Sequence, residues 1–188
     1  MTRELVWTGF ITADGIADSP GGTVEGHPNG GWVFRTPFVE EAFALKGDEL
    51  AETTALMFGR RSYDAFAPIW STSEDHASYR DLPKFVISTT LQKDDLIDGW
   101  GEIDILRSTD DVAELKQSGD GAIFIHGSAE LARSLADTGL IDRYNLLVFP
   151  VLLGSGKRAF SSGAQLSLRE SDSYSNGVVK LIYDVVAP

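Results

Sequence analysis

The segment Thr54-Ala55-Leu56-Met57-Phe58-Gly59-Arg60-Arg61-Ser62-Tyr63 indicates a buried strand that leads directly into a helix. Its apolar run ends at Gly59, and a helical pattern begins immediately afterwards. A second segment of the same kind, Ala122-Ile123-Phe124-Ile125-His126-Gly127-Ser128-Ala129-Glu130-Leu131, follows later in the chain. Helix N-termini carry unpaired N–H groups and a partial positive charge. Two of them facing one cleft therefore predict a pyrophosphate site, a nucleotide cofactor and an enzyme.

Composition limits the classes of protein that fit. The 188 residues, 43% hydrophobic and 23% charged, predict one globular domain over residues 1–188. The lack of a long apolar run or a secretory pattern predicts a cytoplasmic location and no membrane partner. The chain has no cysteine, and its three histidines are scattered, so we expect no metal site. A net charge of −12 argues against a nucleic-acid partner.

The order of predicted elements indicates an α/β sandwich with a largely parallel sheet. Besides the two segments above, strands are predicted over residues 5–12, 84–88, 103–106 and 144–149, and a hairpin over 166–174 and 178–186 around Asn176-Gly177. Helices are predicted to begin at Pro37, after Gly59, at Asp110 and at Ser128. Residues 18–31 are expected to form a long loop, and residues 71–81 an exposed polar stretch.

Several of these segments resemble a known family. Phe58-Gly59-Arg60-Arg61-Ser62-Tyr63 resembles the glycine-arginine-x-threonine segment of dihydrofolate reductases. Residues 125–128, 139–142 and 149–157 are similar to the reductase domain of bifunctional riboflavin-biosynthesis enzymes. The chain is thus identified as dihydrofolate-reductase-like from Leu5 to the final hairpin. The resemblance implies a three-layer sandwich with a mostly parallel central sheet and an antiparallel C-terminal hairpin, NADPH as the cofactor, and a homodimer.

The resemblance also implies roles for individual residues. The cofactor-binding positions would be Ala13, Gly15, Gly59, Arg60, Ser62, Ser88, Thr89, Gly127, Ser128, Ala129 and Glu130. Asp14 would face the substrate as the catalytic residue. The helix acid that serves folate reduction has no clear counterpart, and Glu40 and Glu41 are the nearby candidates. Folate reduction is therefore the less favoured chemistry.

Each candidate has a structural alternative. Asp14-Gly15 is also a common turn pair. Trp32, Phe66 and Trp70 either wall a pocket for a flat heterocyclic substrate or belong to the core. His126 is either a structural histidine or a proton relay.

Two further candidates concern anion binding. Arg60 and Arg61 are either solvated or bind an anion, and a preference for the cofactor's 2′-phosphate would rest on one of them. Gly154-Ser155-Gly156-Lys157 fails the Walker pattern and is better explained as a tight turn.

Together the residues and the resemblance predict an NADPH-dependent reductase. It would transfer hydride to a small, heterocyclic substrate of pterin or pyrimidine type. The alternative is a non-catalytic nucleotide-binding or ligand-sensing module on the same fold.

Overall fold

The computed structural model describes residues 2–23 and 26–186, which form eight strands and four α-helices. The strands are β1 (Glu4–Thr12), β2 (Thr53–Gly59), β3 (Lys84–Ile87), β4 (Ile103–Leu106), β5 (Ala122–His126), β6 (Arg143–Phe149), β7 (Leu166–Ser173) and β8 (Val179–Val185). The helices are α1 (Glu40–Glu52), α2 (Arg60–Trp70), α3 (Thr109–Gln117) and α4 (Ala129–Asp137). Short 3-10 helices lie at Trp32–Arg35, Glu74–Tyr79 and Lys93–Asp95.

The strands form one sheet in the order β4-β3-β2-β5-β1-β6-β8-β7. From β4 to β6 every neighbouring pair is parallel, whereas β8 runs antiparallel to both β6 and β7. Asn176-Gly177 lies in the turn between β7 and β8, where Gly177 has a φ of 84°. The predicted mostly parallel sheet with an antiparallel C-terminal hairpin is confirmed.

Helices cover both faces of the sheet and make three layers. Alternate residues of a strand point to opposite faces, so neighbouring strand residues enter different clusters. Trp7 and Ile125 pack with Leu135 of α4 on one face. Phe124 packs with Tyr63 of α2 on the other face. The helices that follow β2 and β5 therefore lie on opposite faces.

Some predicted boundaries were wrong. Helix α1 begins at Glu40 and not at Pro37, because Val39 still has an extended backbone (φ −134°). Residues 71–81 are not simply an exposed polar stretch. They contain the 3-10 helix Glu74–Tyr79, in which Tyr79 is only 8% exposed and His76 stacks on Trp70.

The loop over residues 18–31 is fastened to the Gly154–Lys157 turn. The Lys157 amide donates to Asp18 Oδ2 at 3.1 Å, and the His27 ring contacts the Ser155 carbonyl at 3.1 Å. These contacts favour the tight-turn interpretation of Gly154-Ser155-Gly156-Lys157. Val24 and Glu25 of the predicted loop lie outside the described residues. Within the described part of the chain, none of the helices has the length and apolar character needed to cross a bilayer.

Candidate functional site

The two strand-to-helix segments lie side by side. Strands β2 and β5 are parallel neighbours, with Met57 opposite Ile125. Beyond the strands, the Gly59 amide donates to Ser128 Oγ at 3.1 Å. Since α2 and α4 then diverge to opposite faces of the sheet, a crevice opens at the carboxyl ends of β2 and β5. Open α/β sheets bind ligands at such a topological switch point.

Both helices present their N-termini to this crevice. Helix α2 follows Gly59 and helix α4 follows Ser128, and no side chain among the described residues caps either helix. The turn before α4 has positive φ angles at Gly127 (58°) and Ser128 (48°). A Cβ at Gly127 would lie 3.4 Å from the ring of Phe66, an ordinary contact, so the positive φ and not a lack of space favours glycine there. Uncapped N–H groups at two helix starts fit an anion such as a pyrophosphate.

The crevice continues into a cleft of about 1100 Å³, here called the switch-point cleft. It is large enough for a drug-sized ligand or a cofactor. The sequence-predicted site residues that line it are Gly59, Ser62, Phe66, Trp70, Gly127, Ser128, Ala129 and Glu130. The structure therefore brings together the predicted residues of both segments. The part of the cleft beside Gly59 and Ser128 is called the outer end below, and the part beside Trp70 and Tyr79 the inner end.

Of the two adjacent arginines, Arg61 lines the cleft. Its Nη1 lies 3.2 Å from Glu130 Oε1, and both side chains are more than half exposed. The predicted Arg60 is instead paired with Asp64 along α2 at 2.9 Å. Arg61 is therefore the better placed of the two to meet a cofactor phosphate.

An aromatic wall, composed of Phe66, Trp70, His76 and Tyr79, borders the inner end of the cleft. Trp70 stacks on Phe66 with an interplanar angle of 6° and a centroid distance of 5.1 Å. His76 and Tyr79 stack on Trp70 at 4.5 Å and 5.4 Å. Flat, polarisable surfaces of this kind suit a planar ring. This arrangement supports the pocket interpretation of Phe66 and Trp70.

His126 closes the inner end at the tip of β5. Its ring meets Trp70 and Tyr79 edge to face, and the residue is 8% exposed. Burial, together with the nearby charges of Lys46 and His76, lowers the pKa of His126 to about 3. The imidazole is therefore neutral at physiological pH. Its Nε2 is buried and has no hydrogen-bond partner among the described residues.

The lowered pKa of His126 gives a pH-dependent stability. Between its folded value near 3 and its unfolded value near 6.5, the unfolded chain binds a proton that the folded chain does not. The contribution of the neutral His126 ring to the free energy of unfolding is therefore fully present above the pKa that His126 has in the unfolded chain. It is lost as the pH falls below that value. We expect about 2 kcal/mol less stability at about pH 5 than at about pH 7 from this group.

Urea unfolding of the wild type and of His126→Asn at the two pH values measures this effect. The variant should lose less stability on acidification, by the same ~2 kcal/mol, whatever its stability at neutral pH. The carboxylates are the same in both proteins, so their titration changes both stabilities equally and cancels in the difference. An equal loss in wild type and variant would show that His126 is protonated in the folded protein.

Sequence reasoning missed a polar cluster between α1, β1 and β6. Glu49, only 1% exposed, accepts from Thr8 Oγ1 at 2.6 Å and from Asn145 Nδ2 at 2.9 Å. Lys46 Nζ donates to Glu49 Oε2 at 2.9 Å and to Thr8 Oγ1 at 2.5 Å. Both Lys46 and Thr8 line the cleft. The polar residues Thr8 and Asn145 within otherwise apolar strands were the sequence feature that could have indicated this cluster.

This cluster also bears on the search for a helix acid. Glu40 and Glu41, the candidates from sequence, lie in the first turn of α1 and are both exposed. The buried carboxylate of α1 is Glu49, close to the end of the helix. Its acceptor atoms point to protein donors on two strands.

Asp14 lies in the turn after β1. It is not among the described residues that line the cleft. Its carboxylate accepts from Thr12 Oγ1 and from the amides of Leu153 and Gly154. The Thr12 hydrogen bond, followed by the two amides, lowers the pKa of Asp14. A lowered pKa is the opposite of what a proton donor needs at neutral pH. These contacts favour the turn interpretation over the catalytic one.

Other predicted site residues also lie away from the described cleft lining. They are Ala13, Gly15, Trp32, Arg60, Ser88 and Thr89. Trp32 is fully buried, donates its indole N–H to the Asp18 carbonyl and packs on Phe149, so it is a core residue. Ser88 Oγ accepts from the amides of Thr90 and Leu91 and shapes its own turn.

The fold and its switch-point cleft define a dihydrofolate-reductase-like α/β protein. Residues 3–180 match the RibD C-terminal domain, and the chain belongs to that family. It is 26% identical to the uncharacterized protein YyaP of Bacillus subtilis (strain 168), over 96% of this chain and 94% of that protein.

Two solved structures illustrate the shared fold. A putative riboflavin biosynthesis protein from Shewanella sp. PV-4 superimposes with a TM-score of 0.73 at 19% identity, over 100% of both chains. Dihydrofolate reductase from Enterococcus faecalis, complexed with NADP(H) and RAB-propyl, gives a TM-score of 0.62 at 10% identity, also over 100% of both chains. The dihydrofolate-reductase-like fold inferred from sequence is thereby confirmed.

Proposed function

We propose that the protein is an NADPH-dependent reductase that acts on a small heterocyclic substrate of pterin or pyrimidine type. The observation that carries this proposal is the pair of uncapped helix N-termini meeting at the switch point between β2 and β5. Membership of the RibD C-terminal domain family supports it. So does the shared fold of a dihydrofolate reductase complexed with NADP(H).

The outer end of the cleft fits the cofactor. The first turns of α2 and α4 would donate N–H groups to the pyrophosphate, with Ser62 and Ser128 beside them. Arg61 would meet the 2′-phosphate, because a guanidinium pairs well with phosphate oxygens. When bound, the nicotinamide supplies the hydride, while the protein binds and orients the two reactants.

The inner end fits the substrate. The aromatic wall offers a flat apolar surface to a ring and keeps water away from one side of it. Lys46, Thr8 and Asp75 add polar groups to the lining of the cleft. A few convergent polar groups in an apolar pocket are typical of small-molecule sites.

A non-catalytic nucleotide-binding or ligand-sensing module is the second candidate. One observation favours it: Asp14 is held as a turn carboxylate, and the Thr12 hydrogen bond lowers its pKa, which disfavours proton donation. For either candidate we propose a cytoplasmic homodimer without nucleic-acid or membrane partners. The sheet edge at β7, which exposes Leu168, would be its interface.

Turnover separates the two candidates. Purified protein and NADPH would be mixed with pterins, flavin precursors and cyclic imines while the nicotinamide absorbance is followed. Oxidation of NADPH that depends on one of these compounds is the expected result. NADPH binding without oxidation by any of them would favour the sensing module.

The position of Arg61 predicts the cofactor preference. Arg61→Glu should weaken NADPH about 30-fold and NADH less than about threefold, because an attractive contact with the 2′-phosphate becomes a repulsive one. Arg60→Glu is the matched control, since it changes the same charge on a residue outside the described cleft lining. Equal losses of NADPH and NADH affinity in Arg61→Glu would contradict the assignment.

A further inference from the structure

We propose that a second cavity, on the face of the sheet that α4 covers, binds a small planar aromatic carboxylate. The ring would occupy the apolar interior, and the carboxylate would accept hydrogen bonds from Arg133 and Tyr144. The cavity, here called the side pocket, is lined by Ala132, Arg133, Ala136, Tyr144, Leu166 and the segment 159–164. Among the described residues, it shares none of its lining with the switch-point cleft, so it is a separate site.

The size of the side pocket fits a single ring. Its volume is about 200 Å³, and a dry apolar cavity of about 150 Å³ can hold benzene. Three alanines, Ala132, Ala136 and Ala159, leave this space open because their side chains are short. The rings of Tyr144 and Phe160 meet edge to face at 5.4 Å beside it and offer aromatic surface. One six-membered ring with a small substituent therefore fits the side pocket.

Tyr144 supplies a hydrogen-bond donor to this apolar space. The residue is only 5% exposed. Its hydroxyl has no hydrogen-bond partner in the part of the chain that the structure describes, yet it is not one of the fully buried polar atoms. Burial, and secondarily the charge of Asp137, raises the pKa of Tyr144, so the hydroxyl keeps its proton at neutral pH. It is therefore available to donate to an acceptor of a ligand.

Arg133 supplies the charge. It is the charged residue among the described lining of the side pocket, and Asp137 is not part of that lining. Its Nη1 donates to the carbonyl of Arg158 at 3.1 Å, and no described carboxylate lies within ion-pair distance of its guanidinium. A guanidinium has five N–H donors and pairs well with a carboxylate. A cationic wall without an anion thus favours a carboxylate over a neutral amide of the same shape.

Trp7 separates the side pocket from the switch-point cleft. Its indole lines the cleft and meets Tyr144 and Phe160 edge to face, each at 6.0 Å. The residue is 1% exposed and donates its N–H to the carbonyl of Gly127 at 2.5 Å, which fixes its position. A ligand in the side pocket and a nucleotide in the cleft would therefore not compete for space.

Benzoate and benzamide, matched in size and shape, test the proposal by NMR titration of the whole ¹⁵N-labelled protein. Benzoate should bind with a Kd of about 1 mM or lower and benzamide at least about fivefold more weakly. The shifts should concentrate in residues 132–136 and 159–164. Arg133→Met should remove the preference, and Tyr144→Phe should weaken benzoate about threefold. Arg35→Met, which removes an exposed arginine outside the lining, should behave as the wild type.

Several results with the wild type alone would overturn the proposal, so it stays testable if a variant fails to fold. They are equal binding of the two probes, tighter binding of benzamide, binding of neither, or shifts confined to the residues of the cleft. A preference that survives in a folded Arg133→Met protein would also overturn it. Saturating NADPH should leave benzoate affinity unchanged, and displacement of benzoate by NADPH would place the probe in the cleft and contradict a separate site.

Discussion

Gly59→Asp is expected to reduce NADPH affinity by at least about 100-fold without loss of stability. Gly59 is the N-cap residue of α2, and its backbone (φ −76°, ψ 161°) already suits an aspartate cap. The new carboxylate would bond to the first-turn N–H groups that the proposed cofactor uses. It would also repel the phosphates.

The space at Gly59 supports this expectation. A Cβ there would lie 3.4 Å from Leu131 Cβ, an ordinary van der Waals contact. The thermal midpoint of the variant should therefore match or slightly exceed that of the wild type. Gly59→Asn is the matched control, because it caps the helix without a charge and should lose far less affinity. Unchanged NADPH binding by Gly59→Asp would show that the N-terminus of α2 does not hold phosphate.

Glu49→Gln is expected to destabilise the fold by about 3 kcal/mol, or about 10 °C in the thermal midpoint. Glu49 is surrounded by three donors, from Thr8, Lys46 and Asn145. The amide has the same shape but turns one acceptor into a donor, which would then face a donor. It also removes the charge that compensates the Lys46 ammonium.

Chemical denaturation of both proteins measures the effect, with Glu41→Gln as the control. Glu41 is on the same helix but exposed in its first turn. Its replacement should change stability by less than about 0.5 kcal/mol. A Glu49→Gln protein as stable as this control would mean that the cluster contributes nothing to the fold.

Local patterns were sufficient for most of the fold. The strand predicted over residues 5–12 was found at Glu4–Thr12, and the hairpin around Asn176-Gly177 was found with its turn in place. Both signals are contained within a few consecutive residues: an apolar run in one case, and a turn pair between alternating segments in the other. Pro37 was misleading because a proline fits an extended segment as well as a first helical turn.

Part of the candidate site was also predictable from patterns contained within a few consecutive residues. Gly59 and Gly127 each end a strand in their own segment, and the pairing of β2 with β5 brings them together. Glu49 could not be found this way, because its partners lie on two strands distant in sequence. Trp32 was misplaced because an aromatic side chain carries no local sign of whether it walls a pocket or fills the core.

Titration of NADPH and NADH into the wild-type protein, followed by nicotinamide fluorescence at physiological salt, tests the central claim most directly. Two uncapped helix N-termini beside Arg61 predict micromolar NADPH binding and much weaker NADH binding, of the order of tenfold or more. Binding of neither nucleotide would contradict the account. The two strand-to-helix segments would then be structural turns, and the reductase proposal would fall with them.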